Sequence, residues 1–168
     1  MSRNDLAKLF KGVGAEIGVE QGVYSEVICQ YATKLYAIDA WQSYDDYRDH
    51  KRQSKLDRFF RRTVNRLAPY NVEIIRKFSR DAVKDFKDES LDFVYIDANH
   101  GYAYVYEDIH EWTKKVKKGG IVAGHDYVPN SDRPQYEVAR AVNDYCAMHR
   151  KKIKLYKDDI SPSWMFYK

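Results

Sequence analysis

Residues 13–22 read VGAEIGVEQG, an apolar run that passes into a turn containing two glycines. We predict a β-strand over Val13–Val19 and a helix over Tyr24–Ala32, because buried strands are short apolar runs bounded by Gly-containing turns. Glycine lets such a turn tighten and lets a ligand approach the backbone. The carboxylate of Glu16, near the strand end, can accept hydrogen bonds from a ligand's ammonium group. A strand-to-helix turn without a ligand explains the same pattern.

Short apolar runs alternate with amphipathic stretches along the rest of the chain, which predicts an α/β fold with a parallel sheet and helices on both faces. The last two strands are joined by the short connection Lys157–Pro162. Because a parallel pair needs a crossover of about a dozen residues, these two strands must be antiparallel. The later predicted strands are Lys34–Ile38, Val72–Arg76, Leu91–Ile96, Ile121–Gly124, Ile153–Tyr156 and Ser163–Tyr167, and the later predicted helices are Lys51–Leu67, Asp81–Phe86, Tyr104–Val116 and Tyr136–His149.

Two helices carry more detailed expectations. In the helix predicted over Lys51–Leu67, the first of the two, apolar residues recur at helical spacing and are expected to form a buried face. In the second, Gly119-Gly120 is expected to end the helix that begins at Tyr104. The apolar residues of the first helix are Leu56, Phe60, Val64 and Leu67.

Composition excludes several classes of protein. At 168 residues the chain is expected to form one domain over residues 1–168. The formal net charge of +4 is mild, and its basic stretches lack the interleaved aromatics of a nucleic-acid groove, so no nucleic-acid partner is expected. No apolar run is long enough for a membrane span. The two cysteines form neither a metal-type cluster nor a disulfide framework, which favours a cytoplasmic protein with reduced thiols.

An acidic residue ends the second predicted strand. Asp39 there would lie across a crevice from the first glycine turn, where a carboxylate can grip both hydroxyls of a ribose. The alternative is an Asp that caps a turn. NAD is disfavoured because the fingerprint Gly-x-Gly-x-x-Gly fails: starting from Gly12 and Gly14, the third position is Ile17.

Polar residues also follow the next three strands. The segment Phe78–Ala82 would lie beside an adenine ring, although Ser79 or Asp81 also suits a helix N-cap. Asp97–Tyr102 reads DANHGY, and Gly124–Tyr127 reads GHDY. Because carboxyl ends of adjacent parallel strands share one edge of the sheet, two Asp, two His and an Asn converge there. Methylation of a hydroxyl needs a base, or a metal that lowers the hydroxyl's pKa.

These motifs together resemble those of class I methyltransferases that depend on S-adenosylmethionine (SAM), of the compact type related to macrocin and other sugar O-methyltransferases. The resemblance runs from about Gly12 to Tyr127. It implies a Rossmann-like sheet of seven strands ordered 3-2-1-4-5-7-6, with strand 7 antiparallel. It is carried by Glu16-x-Gly18-x-x-x-Gly22, Asp39-Ala40-Trp41, Asp97-x-x-His100-x-Tyr102 with Asp108 downstream, and Gly119-Gly120 leading into His125-Asp126-Tyr127.

The resemblance also implies roles for individual residues. The first motif would cradle the methionine part of SAM, Asp39 would bind the ribose, and the segment after strand 3 would lie near the adenine. In metal-dependent relatives the acid after strand 4 and an acidic pair after strand 5 hold Mg²⁺. The implied cofactor-binding residues are Glu16, Gly18, Gly22, Asp39, Ala40, Ser79, Arg80 and Asp97; the implied metal ligands, for Mg²⁺ or another divalent ion, are Asp97 and Asp126.

The expected activity is transfer of a methyl group from SAM to a hydroxyl of a sugar, glycan or other polyhydroxylated small molecule. His100 is expected to be the base, with Asp97 and His125 as further catalytic residues. Few residues precede the first strand, so the crevice is expected to be open, or closed by Trp41–His50 or by a second copy in a homo-oligomer. The alternative is a SAM- or nucleotide-binding module without catalysis that regulates a partner.

Overall fold

A computed structural model describes residues 1–43, 52–129, 136–157 and 161–168. Its centre is a seven-stranded sheet in the order β3-β2-β1-β4-β5-β7-β6, as predicted. The strands are β1 Val13–Ile17, β2 Lys34–Asp39, β3 Val72–Arg76, β4 Leu91–Ile96, β5 Val116–Gly124, β6 Lys154–Tyr156 and β7 Ser163–Tyr167. The helices are α1 Arg3–Ala7, α2 Val23–Cys29, α3 Gln53–Leu67, α4 Ser79–Ala82 (continued by the 3₁₀ turn Val83–Asp85), α5 Tyr102–Lys115 and α6 Val138–Met148.

Strand directions place the chemistry at one edge of the sheet. Strands β3, β2, β1, β4 and β5 are parallel, and β7 is antiparallel to both β5 and β6. This is the Rossmann-like arrangement of class I methyltransferases. Because β1, β2, β4 and β5 lie side by side and point the same way, the loops after them meet at one edge.

Helices cover both faces of the sheet. In β4, alternate side chains belong to different cores: Phe93 and Tyr95 pack with α1 and α2, whereas Val94 and Ile96 pack with α5 and α6. A strand buried on both faces reads as a continuous apolar run, as the sequence of β4 does. Within the described ranges, no helix has the length and apolar character that a membrane span requires.

Two local predictions were wrong. The helix predicted over Tyr104–Val116 ends at Lys115, but Gly119-Gly120 do not end it: they lie inside β5, which begins at Val116 rather than at Ile121. There the pairing of β4 with β5 jumps between Leu91 and Phe93, and Gly119 has φ +76°, so the glycines form an irregular step within the strand. In α3, Leu56, Phe60 and Leu67 pack in one core cluster as predicted, but Val64 is exposed, because Phe59 and Thr63 are buried in its place.

Candidate active site

A cavity of about 1120 Å³ lies along the carboxyl ends of the parallel strands. It collects most of the residues singled out in the sequence: Glu16, Gly18, Asp39, Ala40, Ser79, Arg80, Asp97, His100, His125 and Asp126. Gly22 is not among the lining residues, because it lies at the start of α2 and packs towards Thr63 and Leu67 of α3. The closing segment predicted at Trp41–His50 falls mostly outside the described residues.

Gly18 gives the cavity a wall of bare backbone. It has φ +87°, and a Cβ there would lie 2.1 Å from the backbone oxygen of Asp97. Its N–H donates to the oxygen of Ile38, at 2.9 Å. No side chain fits at this crossing of three strand ends, so a ligand can approach the main chain here.

The Asp39 carboxylate ties together the loops that follow β1 and β2. One oxygen accepts from the backbone N–H groups of Val19 and Glu20, at 3.1 and 3.0 Å, and the other accepts from the N–H of Trp41 at 2.8 Å. Both Glu20 and Trp41 have positive φ. The turn-capping role considered for Asp39 is therefore present in the structure, and Asp39 also lines the cavity, at the end of β2.

The Glu16 side chain is enclosed beneath the same turn. It is 1% exposed and accepts a hydrogen bond from Ser25 on α2. Burial raises the pKa of Glu16 to about 8, although the hydrogen bond from Ser25 and the charge of Arg3 oppose the shift. Near pH 7 the group is mostly a neutral acid, which can donate as well as accept a hydrogen bond.

A second buried carboxyl lies at the end of the cavity near β3. The indole N–H of Trp112 donates to Ser79 at 2.7 Å, and Ser79 donates to Asp108 on α5. Burial raises the pKa of Asp108 to about 7. Ser79 thus joins two elements across the cavity wall, and Asp108, to which the sequence analysis assigned no role, lines the cavity.

Arg3 on α1 is a cavity residue that the sequence analysis missed. Its Nη2 donates to Asp97 at 2.6 Å, and its guanidinium stacks 3.8 Å above the ring centre of Tyr24. A capping box between Ser2 and Asp5 begins α1, and the hydroxyl of Tyr24 donates to the Arg3 carbonyl at 2.8 Å. Asp97 therefore has a cationic partner from the N-terminal helix.

The predicted base, His100, pairs with a carboxylate. Its Nε2 lies 2.7 Å from Asp126 Oδ2, and its ring stacks on Tyr136 with centroids 4.5 Å apart. Although burial alone would raise the pKa of Asp126, the hydrogen bond from His100 and the nearby imidazoles lower it to about 2. Asp126 is therefore anionic at neutral pH. It has φ +55°, an uncommon conformation for a residue other than glycine.

His125 makes a different contact from His100. Its Nδ1 accepts from the N–H of Asp126 at 2.7 Å, and the same nitrogen lies 3.3 Å from Asp126 Oδ1. The shorter contact has the geometry of a hydrogen bond to a lone pair, so Nδ1 is an acceptor and the proton of the neutral ring is on Nε2. His125 is thereby suited to donate a hydrogen bond from Nε2 rather than to remove a proton through Nδ1.

Three side chains come close enough to hold a metal ion. Ligand atoms of Asp97, His100 and Asp126 all lie within 4.8 Å of one another. Two carboxylates and an imidazole suit a transition metal better than Mg²⁺, which prefers oxygen ligands. All three groups already have partners, since Asp97 binds Arg3, and His100 and Asp126 pair with each other.

Comparison with known proteins identifies the family. A model of the methyltransferase domain matches residues 15–127, which run from within β1 to the first residues after β5. The chain belongs to the methyltransferase-domain family. This confirms the class I SAM-dependent methyltransferase resemblance, and it supports SAM as the cofactor of the domain.

A curated relative extends the match without naming a reaction. The chain is 26% identical over 119 residues to the uncharacterized protein y4gI of Sinorhizobium fredii. The match covers 66% of this chain and 12% of that protein, so the chain spans a small part of the relative's length.

Solved structures share the fold at low identity. They include an rRNA methylase from Streptococcus thermophilus (TM-score 0.68, 17% identity, covering 98% of this chain and 93% of that one). An N-methyltransferase, NodS, from Bradyrhizobium japonicum has TM-score 0.68 and 13% identity, covering 99% and 90%. An O-methyltransferase from Bacillus cereus, solved with S-adenosylhomocysteine (SAH), has TM-score 0.67 and 16% identity, covering 93% and 74%. Because their names give RNA, nitrogen and oxygen acceptors, the shared fold does not decide the acceptor.

Proposed function

We propose that this methyltransferase domain transfers the methyl group of SAM to a hydroxyl oxygen of a sugar or another polyhydroxylated small molecule. The observation that carries the proposal is the pair formed by His100 and Asp126 at the cavity wall, with 2.7 Å between Nε2 and Oδ2. A hydroxyl must lose its proton to become a good nucleophile, and an imidazole held by a carboxylate is a group that accepts such a proton.

The cofactor end of the cavity fits SAM. Gly18 leaves the main chain bare where the methionine part would pass, because a Cβ there would collide with the backbone of Asp97. The Asp39 carboxylate lies at the end of β2, where a ribose would bind, and the Ser79–Asp108 pair borders the space for the adenine. Bound SAM supplies a methyl group on a sulfonium, ready for in-line displacement.

His100 would act through a defined nitrogen. With Asp126 anionic and its Oδ2 2.7 Å from Nε2, the neutral ring would carry its proton on Nε2, facing Oδ2, and its lone pair on Nδ1. In the reaction Nδ1 takes the acceptor's hydroxyl proton while the C–O bond forms and the C–S bond of the sulfonium breaks. Asp126 stabilises the resulting imidazolium. His125 Nε2 would donate a hydrogen bond to an oxygen of the molecule that accepts the methyl group.

The size and lining of the cavity support a hydrophilic acceptor. A volume of about 1120 Å³ is above the roughly 300–1,000 Å³ of a usual single-ligand pocket, which leaves room for a second molecule beside the cofactor. The wall near His100 is formed by polar groups, among them Asn99 and Asp126, and by the amphipathic ring of Tyr104. Such a wall matches an acceptor with several hydroxyls.

A metal is not needed for this mechanism. If one bound, Asp97, His100 and Asp126 would hold it and it would lower the pKa of the acceptor hydroxyl. It would first have to separate Arg3 from Asp97 and His100 from Asp126. We therefore expect transfer to survive chelation.

The experiment is a transfer assay with SAM labelled on its methyl group, against a panel of sugars, inositols and phenols, and against primary amines as a control class. We expect label only in hydroxylated acceptors, at equal rates with EDTA and with added Mg²⁺ or Mn²⁺. Transfer to amines alone would overturn the hydroxyl assignment, and loss of transfer in EDTA would assign Asp97 and Asp126 to a metal. SAH binding without transfer to any panel member would favour the non-catalytic alternative.

A further inference from the structure

Arg3 has more hydrogen-bonding capacity than its protein partners use. A guanidinium carries five N–H donors. Among the described residues the structure records a single acceptor for them, Asp97, and the Arg3 Nε is enclosed without a partner. The side chain keeps 22% of its surface exposed, and it lines the cavity.

The position of Arg3 limits which part of a ligand it can meet. It neighbours Asp97, and the backbone oxygen of Asp97 lies against the main chain of Gly18 in the cavity wall. The Asp39 and Ser79 sites lie on the other side of that turn, after β2 and β3. A ligand that spans the cavity with its nucleoside at Asp39 and Ser79 therefore ends beside Arg3 and Asp97.

The two side chains present opposite charges side by side. Arg3 is a fixed cation with a planar fork that matches a carboxylate, and Asp97 is a carboxylate that accepts from an ammonium group. The free end of the methionine part of SAM is an amino acid, with one carboxylate and one ammonium on the same carbon. The charges of the pair and of the amino acid are complementary.

We propose that Arg3 binds the α-carboxylate of the cofactor's methionine part, with Asp97 facing its ammonium group. This inference rests on the proposed binding of SAM and adds to it a binding residue outside the matched region 15–127. Stacking on Tyr24 and the capping box of α1 hold the guanidinium at the cavity before the cofactor arrives.

The test uses three ligands that differ only at this end. SAH carries both charges, its decarboxylated analogue 5′-deoxy-5′-(3-aminopropylthio)adenosine carries only the ammonium, and 5′-methylthioadenosine carries neither. Calorimetric Kd values are measured for wild type, Arg3→Met, Arg3→Lys and the control Lys8→Met. Lys8 also precedes β1, but it is exposed and pairs with Asp5.

We expect Arg3→Met to raise the Kd for SAH by about 10- to 100-fold, the range for losing charge-assisted hydrogen bonds. The Kd values of the other two ligands should be unchanged. Arg3→Lys should restore part of the SAH affinity, because Lys keeps the charge without the planar fork. Lys8→Met should match wild type for all three ligands.

Two outcomes would overturn the proposal. Unchanged SAH affinity in Arg3→Met would remove Arg3 from the cofactor site. An equal loss for all three ligands, together with a lower melting temperature, would show that Arg3 only holds α1 in place through Asp97. Failure of wild type to bind any of the three would instead refute the proposed function.

Discussion

The two ends of the cavity are built from different kinds of atom. At the ends of β1 and β2 the site is largely main chain: Gly18 has no side chain, and Asp39 accepts three backbone N–H groups. At the ends of β4 and β5 it is side chain on side chain, with His100 on Asp126 and on Tyr136. The first end can change only if the fold changes, which suits a constant cofactor. The second can change by single substitutions, which suits an acceptor that differs between relatives.

The largest effect is expected at the acceptor end, from His100→Ala. Loss of a general base typically costs about 10²–10⁴ in rate, so kcat should fall within that range. SAH affinity should stay near that of wild type, because His100 contacts the β5 loop rather than the β1 turn. Single-turnover transfer and calorimetry measure the two quantities.

The control for this variant is His110→Ala, a histidine of α5 whose side chain is 45% exposed and which does not line the cavity. It should keep wild-type transfer. If His100→Ala instead loses thermal stability and SAH affinity together, His100 is a structural residue of the loop and the division between the two ends fails. Near-wild-type turnover would move the proton transfer to His125.

Asp126→Asn tests whether Asp126 acts through His100. Asn tolerates the left-handed backbone at this position, so the turn should persist, but its amide cannot stabilise an imidazolium as a carboxylate does. We expect kcat to fall by less than in His100→Ala, and the double variant to be no slower than His100→Ala, since residues that act as a unit are not additive. Fully additive losses would contradict the pairing.

The cofactor end should respond in binding rather than in rate. Asp39→Ala removes the acceptor of three backbone N–H groups and the expected ribose contact, and loss of such a charge-assisted hydrogen bond typically costs about 1.5–3 kcal/mol. Calorimetry should show SAH binding weakened accordingly, with the single-turnover rate at saturating SAM close to wild type. Asp81→Asn, an exposed carboxylate after β3, is the control.

An Asp39→Ala protein that melts at a lower temperature and yet binds SAH normally would leave Asp39 with the turn-capping role alone. The ribose would then be held by other groups, and Asp39 would stabilise the fold at this end of the cavity without binding the cofactor.

The difference between the main-chain end and the side-chain end of the cavity also explains which features the sequence could predict. The positions of the strands and the Gly18 turn follow from local patterns, because apolar runs and glycines report on the backbone directly, whereas the order of the strands was implied only by the family resemblance. His100 and Asp126 follow from the rule that parallel strand ends meet. The role of Arg3 could not be predicted, since a lone basic residue on a short helix forms no pattern. Its partner Asp97 is 94 residues away in the sequence, after β4.

Two failures have local physical causes. Gly119-Gly120 is the same signal at a helix end and at an irregular step in a strand, and only the register of β5 on β4 distinguishes them. In α3 one predicted core position, Val64, was wrong, because the helix buries the neighbouring Thr63, whose hydroxyl donates to the carbonyl of Glu20 at 3.1 Å. That contact anchors α3 to the cofactor turn, and it depends on tertiary structure.

The smallest expected effect is a change of stability with pH that belongs to the cofactor end alone. Burial raises the pKa of Glu16 from 4.5 to about 8, so the folded protein holds a proton there that the unfolded chain has already lost at neutral pH. Stability from this group is fully present below pH 4.5 and falls as the pH rises to about 8, because the folded state binds more protons over that interval.

Glu16→Gln removes this dependence, since the amide keeps the shape and does not titrate. Urea unfolding without ligand, from pH 5 to pH 9, should therefore show the free energy of unfolding of wild type falling relative to that of Glu16→Gln up to about pH 8, with no further change above it. Glu26→Gln, which removes a surface carboxylate of α2, should run parallel to wild type. If the Glu16→Gln curve also runs parallel to wild type, Glu16 is ionised in the folded state, and the β1 turn would then offer the cofactor's ammonium group a charge rather than a neutral acid.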